Sequence, residues 1–140
     1  MTQRLESFAL LVRDYDGALA YYAGVLGFEI LEDTPLGGGK RWVRVRPRGS
    51  KGAGLLLARA ATPEQQSAVG RQAGGRVLFF LHTDDFRRDY QAFSERGVRF
   101  IESPREEPYG TVVVFEDLYG NRWDLVQPHA KTSGDNAPVP

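Results

Sequence analysis

A chain of 140 residues is the size of one ordinary domain, long enough to bury a core and too short for two independent catalytic domains. Eighteen basic residues balance eighteen acidic ones, so net charge gives no reason to expect nucleic acid or an anionic membrane surface as partner. With no cysteine there is no disulfide frame, thiolate metal site or cysteine nucleophile. The longest apolar runs, Phe8 to Val12 and Val77 to Leu81, are far shorter than a membrane span. Nothing in Met1–Glu6 looks like an export signal, and the expectation is a soluble cytoplasmic protein.

Residues 5–13 suit a buried strand, and Asp14 stands where a carboxylate caps the next helix by accepting its free amide hydrogens. Tyr15, Leu19 and Tyr22 fall on one helical face, widened by Ala18, Val25 and Leu26. Gly27 stops that helix. Strands are expected at Phe28–Glu32 and Arg41–Arg46, joined by a turn over Thr34–Gly39, and again at Gly54–Ala58. Thr62-Pro63-Glu64-Gln65 reads as the start of a short helix inside a linker.

The same order then recurs about 70 residues later. A strand is expected at 76–83, a helix from about Phe86 to Arg96 behind Asp85, and strands near 98–102, 110–116 and 122–127. The polar, proline-bearing residues from Pro128 onward are expected to form a loosely docked tail. The fold class is therefore α+β: two tandem βαβββ modules, about 5–58 and 76–127, joined by a linker at 59–75 and followed by a tail at 128–140. Repetition on this scale predicts one cupped, barrel-like mixed sheet around a central cavity, helices outside.

Six features carry chemical interest. His82 shares strand parity with Leu78 and Phe80, and its imidazole suits acid or base work or a hydrogen bond to a ligand; the plainer alternative is a strand-end histidine bonded to backbone or water. Asp124 alternates with Trp123 and Leu125, so it points to a cavity as a ligand contact or base, or else pairs with Arg122 or another arginine. Alternation puts Trp42, Arg44 and Arg46 on one face of their strand, either a stacking platform beside cations or a solvated edge. The charged loop Glu102–Gly110 offers Arg105, Glu107 and Tyr109 as pocket-mouth contacts, or is simply solvated. His129, next to Pro128, is a tail residue. Gly37-Gly38-Gly39-Lys40 is no phosphate loop, since no Ser or Thr follows the lysine and a strand follows where a helix is needed.

The two βαβββ modules, the phrase Val12-Arg13-Asp14-Tyr15, the stop Leu26-Gly27-Phe28 and the turn Asp117-Leu118-Tyr119-Gly120-Asn121 before the last strand together resemble the vicinal oxygen chelate superfamily. That group includes glyoxalase I, the bleomycin-resistance proteins, fosfomycin-modifying enzymes and extradiol dioxygenases. The resemblance covers residues 5–127. Metal-dependent members place a histidine early in the first strand of each module and a glutamate in the last strand. Those positions fall here on Ser7, Leu78 and Asp124, with an apolar counterpart near Leu56 or Leu57. The resemblance thus implies a protein without the usual metal ligands and with no cofactor. Open sheet edges and a concave face lead to the expectation of a homodimer. The alternation in 41–46 with the parity of His82 and Asp124 leads to that of a small planar or anionic organic guest, lying against Trp42 and held by Arg44, with Asp124 and His82 adding polar contacts. Ser7, Leu78, Phe80, Arg105, Tyr109 and Arg122 complete the candidate lining. The alternative is a metal-independent lyase- or isomerase-like enzyme using Asp124 and His82 as acid and base; metal-dependent glyoxalase- or dioxygenase-like chemistry stands third.

Overall fold

A computed structural model describes residues 2–130. The chain divides into two compact units, Met1–Gln72 and Ala73–Pro140. The class is α+β, as expected, and the strands form two mixed sheets, neither closed on itself.

The first unit holds strand β1 (Ser7–Val12), helix α1 (Tyr15–Leu19), strands β2 (Glu29–Gly37), β3 (Lys40–Arg46) and β4 (Gly54–Arg59), and helix α2 (Pro63–Ala68). Asp14 caps α1, its Oδ1 accepting the Gly17 amide at 2.6 Å. The helix then continues as a π-helical stretch over Ala20–Val25, where the Leu26 amide reaches back to the Tyr21 carbonyl at 2.9 Å. Gly27, at φ +79°, ends it. Tyr15, Ala18, Tyr22 and Leu26 are buried with Leu10, Val12, Val43, Val45, Leu55 and Leu57. In the sheet order β1-β4-β3-β2, β1 runs parallel to β4 and the other pairs are antiparallel.

The turn expected over Thr34–Gly39 is mostly strand, because β2 extends through Pro35 to Gly37. Only Gly38 and Gly39 remain as the hairpin loop, both at positive φ, which matches the right-handed strand twist. Pro35 is tolerated because β2 is an edge strand. The expected linker is likewise partly structured. Arg59 lies in β4, and the Gln72 side chain takes the Leu11 amide at 2.6 Å and donates to the Ala9 carbonyl at 3.2 Å, covering part of the β1 edge.

The second unit holds β5 (Val77–His82), α3 (Phe86–Glu95), β6 (Arg99–Phe100), β7 (Arg105–Glu107), β8 (Gly110–Glu116) and β9 (Arg122–Pro128). Asp85 caps α3 as Asp14 caps α1, accepting the Arg88 amide at 3.1 Å. One sheet face packs on α3 through rings: Phe93 meets Phe115 edge-on, Phe115 stacks on Trp123, and Phe79 tilts against Trp123. Strand β7 corrects the reading of Glu102–Gly110 as loop; it pairs with β8 along Arg105↔Val112 and Glu107↔Gly110. The first residues of the expected tail are ordered. Pro128 belongs to β9 and the His129 amide donates to the Tyr109 carbonyl at 2.8 Å, while 131–140 lie outside the described residues.

Candidate functional site

In each unit the helix covers one sheet face, and the candidate residues fall on the other. On the first sheet the register Ala9↔Leu56↔Arg44↔Glu32 crosses this helix-free face. Trp42 lies two residues along β3 and keeps 40% of its surface exposed. Arg44 is already committed. Its Nε donates to the Ser7 hydroxyl at 3.0 Å, its Nη1 to Glu32 at 3.0 Å and its Nη2 to Glu6 at 2.8 Å. Arg46 pairs with Glu29 at 3.3 Å.

An anionic guest held by Arg44 would share the guanidinium with these partners. The two arginines meet three glutamates, which offset their charge. Glu6 and Glu32 were missed by sequence reasoning; Glu32 alone carried a signal, lying across the hairpin from Arg44.

On the second sheet two adjacent rows define the helix-free face. One runs Phe80↔Asp124↔Val114, the next His82↔Val126↔Val112↔Arg105. His82 and Asp124 are therefore diagonal neighbours across β5 and β9, with Phe80 directly beside the carboxylate. Phe80 is 46% exposed and His82 is exposed. Leu78 does not join them by register: it sits at a β-bulge between Val77↔Arg122 and Phe79↔Trp123 and opposes no β9 residue.

Asp124 is only 4% exposed, and its buried Oδ1 has no hydrogen-bond partner. It does not pair with Arg122, whose Nε lies 3.7 Å from Glu116. Burial chiefly raises the pKa of Asp124; Arg105 draws it down and Glu102 pushes it up again. Glu102, a residue sequence reasoning did not single out, accepts from Arg105 Nε at 3.1 Å and from the Val114 amide at 3.0 Å. Burial works against the charge of Arg105, but hydrogen bonds to Glu107 and Tyr109 and the charge of Glu102 outweigh it and raise its pKa.

The family-type metal positions do not fit a metal. Leu78 has no donor atom, the Ser7 hydroxyl is held by Arg44, and Leu56 and Leu57 are apolar. Among the described residues no three His, Asp or Glu side chains gather to hold an ion.

Two mixed sheets, each with a helix on one face and polar groups beside an exposed aromatic on the other, define an α+β fold of the kind that offers concave sheet faces to small molecules. The chain belongs to the Glyoxalase/Bleomycin resistance protein/Dioxygenase superfamily, whose family model matches residues 4–125. It is 54% identical over 128 residues to a protein of Shewanella frigidimarina (strain NCIMB 400), covering 91% of this chain and 95% of that one. Among solved structures it resembles UcmS2, with a TM-score of 0.76 and 32% identity over 90% of this chain and 98% of that one. It also resembles TnmS3, an antibiotic binding protein from Streptomyces sp. CB03234, with a TM-score of 0.73 and 31% identity over 91% and 97% of the two chains. No helix among the described residues is long and apolar enough to cross a membrane.

Proposed function

We propose that this protein binds a small planar organic molecule. The observation that carries the reading is an exposed aromatic side chain set among polar groups on the helix-free face of each sheet: Trp42 at 40% exposure and Phe80 at 46%. An open ring on a sheet face beside polar groups is a surface on which a planar guest can stack. TnmS3, similar over most of its length, is an antibiotic binding protein, which supports the same class of role here.

The test is calorimetric titration with a panel of planar aromatic compounds, antibiotics included. Stacking contributes about 0.5–1.5 kcal/mol beyond burial. Trp42→Ala or Phe80→Ala is therefore expected to weaken the best ligand by about tenfold, roughly 1.4 kcal/mol. A panel without a binder, or a binder indifferent to both substitutions, overturns the reading.

A second reading, metal-independent acid–base catalysis, draws on the diagonal placement of His82 and Asp124 and on the raised pKa of Asp124. It predicts that a bound ligand is converted, followed by mass spectrometry, and that His82→Ala and Asp124→Asn each stop the conversion. A ligand recovered unchanged decides for binding alone.

The working unit proposed is a homodimer. Leu5, Ile30 and Leu36 are more than half or about half exposed on the first unit, and β2 leaves an open edge. Light scattering at micromolar concentration is expected to give twice the chain mass; a monomer rules it out.

A further inference from the structure

We propose that Asp124 anchors an organic cation, a protonated amine carried by a planar ring that lies on Phe80. The inference rests on the small-molecule reading above and names the class of ligand.

Asp124 combines two properties that rarely coexist: it is 96% buried, and one carboxylate oxygen has no donor. Its neighbours on the same face, Val112, Val114 and Val126, are buried and apolar, and they bring no side-chain donor. Phe80, directly across the β5–β9 pairing, is open. A flat molecule covering that ring is one strand spacing from the unpaired oxygen.

Charge selects the anchoring group. Arg105 is spent on Glu102 at 3.1 Å and Glu107 at 3.0 Å, so three carboxylates, with Asp124, share one guanidinium. Of the other ionisable groups on this face, Arg99 of β6 and Arg122 of β9 both lie against Glu116 of β8, at 3.5 and 3.7 Å, and His82 lies in the Arg105 row. An anion meets repulsion here, and a neutral donor satisfies the oxygen without balancing the charge. An ammonium does both.

Protonation supplies an independent reading. Burial holds the Asp124 proton to higher pH in the folded protein than in the unfolded chain, with Arg105 opposing and Glu102 adding to the effect. Between the ordinary value of 3.8 and that raised value, the folded state binds more protons, and stability falls as pH rises. Asp124→Asn does not titrate and escapes this loss. Its melting temperature is expected to exceed that of the natural protein at pH 7, the gap closing as pH approaches 3.8.

Three ring-matched probes make the test: 1-naphthylmethylamine, 1-naphthalenemethanol and 1-naphthoic acid, titrated by calorimetry at pH 7.5 alongside the wider panel. The amine is expected to bind at least about tenfold more tightly than the alcohol or the acid, a difference of about 1.4 kcal/mol. Asp124→Asn is expected to erase that preference while leaving alcohol affinity within about threefold, and amine affinity is expected to fall as pH drops below the raised Asp124 value. If panel members bind but the amine shows no advantage, or keeps it in Asp124→Asn, this inference fails and the binding reading stands. If nothing in the panel binds, both fail. Should Asp124→Asn not fold, the ring-matched comparison and its pH profile on the natural protein decide alone.

Discussion

Asp117→Ala is expected to lower stability by about 3 kcal/mol, since removing the acceptor strands several buried donors at about 1–3 kcal/mol each, with incomplete additivity. For a chain of this size that is a fall in melting temperature of roughly 10 °C. Asp117 is 4% exposed and organises the turn from β8 into β9. Its Oδ1 accepts the amides of Tyr119 and Asn121, and its Oδ2 accepts the Asn121 side-chain amide, each at 2.9 Å. Backbone bonds close the same loop, from the Asp117 amide to the Asn121 carbonyl at 2.9 Å and from the Gly120 amide to the Asp117 carbonyl at 3.1 Å. Asn121, itself 3% exposed, is shut in with no alternative acceptor supplied by the alanine. Asp117→Asn keeps one carbonyl oxygen and is expected to lose about half as much. A melting temperature for Asp117→Ala within about 2 °C of the natural protein contradicts this account.

That turn bears on what the sequence discloses. Asp117-Leu118-Tyr119-Gly120-Asn121 is the most recognisable phrase in the chain, and its chemistry is spent on its own backbone. Local features of this sort are legible because their causes lie within a few residues: Asp14 and Asp85 cap their helices, Gly27 ends one, and alternation in β3 buries Val43 and Val45 while grouping Trp42 with Arg44. The same alternation set His82 and Asp124 on one face, since register across β5–β9 preserves it from Phe80 onward. It failed at Leu78, where a bulge inserts a residue that no periodicity announces. The ion pairs of Arg44 were hidden for a different reason. Glu32 lies across the hairpin, 12 positions away, but Glu6 comes from 38 positions away, a pairing the sequence does not show. Strand β7 was hidden too, because three residues between prolines carry almost no periodic signal; its pairing with β8 creates it.

Gly110→Ala is expected to cost about 3 kcal/mol, the upper end of what overpacking does. Gly110 is buried where β7 turns into β8, paired on one side with Glu107 and on the other with Pro128. A methyl group there falls on the carbonyl oxygen of Gln127, and lies 2.9 Å from Pro128 Cα and 3.0 Å from the Gln127 carbonyl carbon. Every one of those atoms is backbone, so no side chain can swing aside and β8 must part from β9. Gly97→Ala separates this steric effect from glycine loss in general. Gly97, at φ +82° behind α3, has nothing within 4 Å of the added carbon. Its cost is the left-handed backbone alone, about 1–2 kcal/mol. Chemical denaturation of both variants checks the ranking, and equal midpoints would refute the steric argument. The strain also reaches the site, because β7 pairs only with β8, over Gly110 to Val112, and carries Arg105 on that pairing. Parting the strands moves the guanidinium that acts on Asp124, so Gly110→Ala is expected to change the affinity for an amine probe by more than Gly97→Ala does. Equal affinities in the two variants would mean that Arg105 keeps its place beside Asp124 without the hairpin.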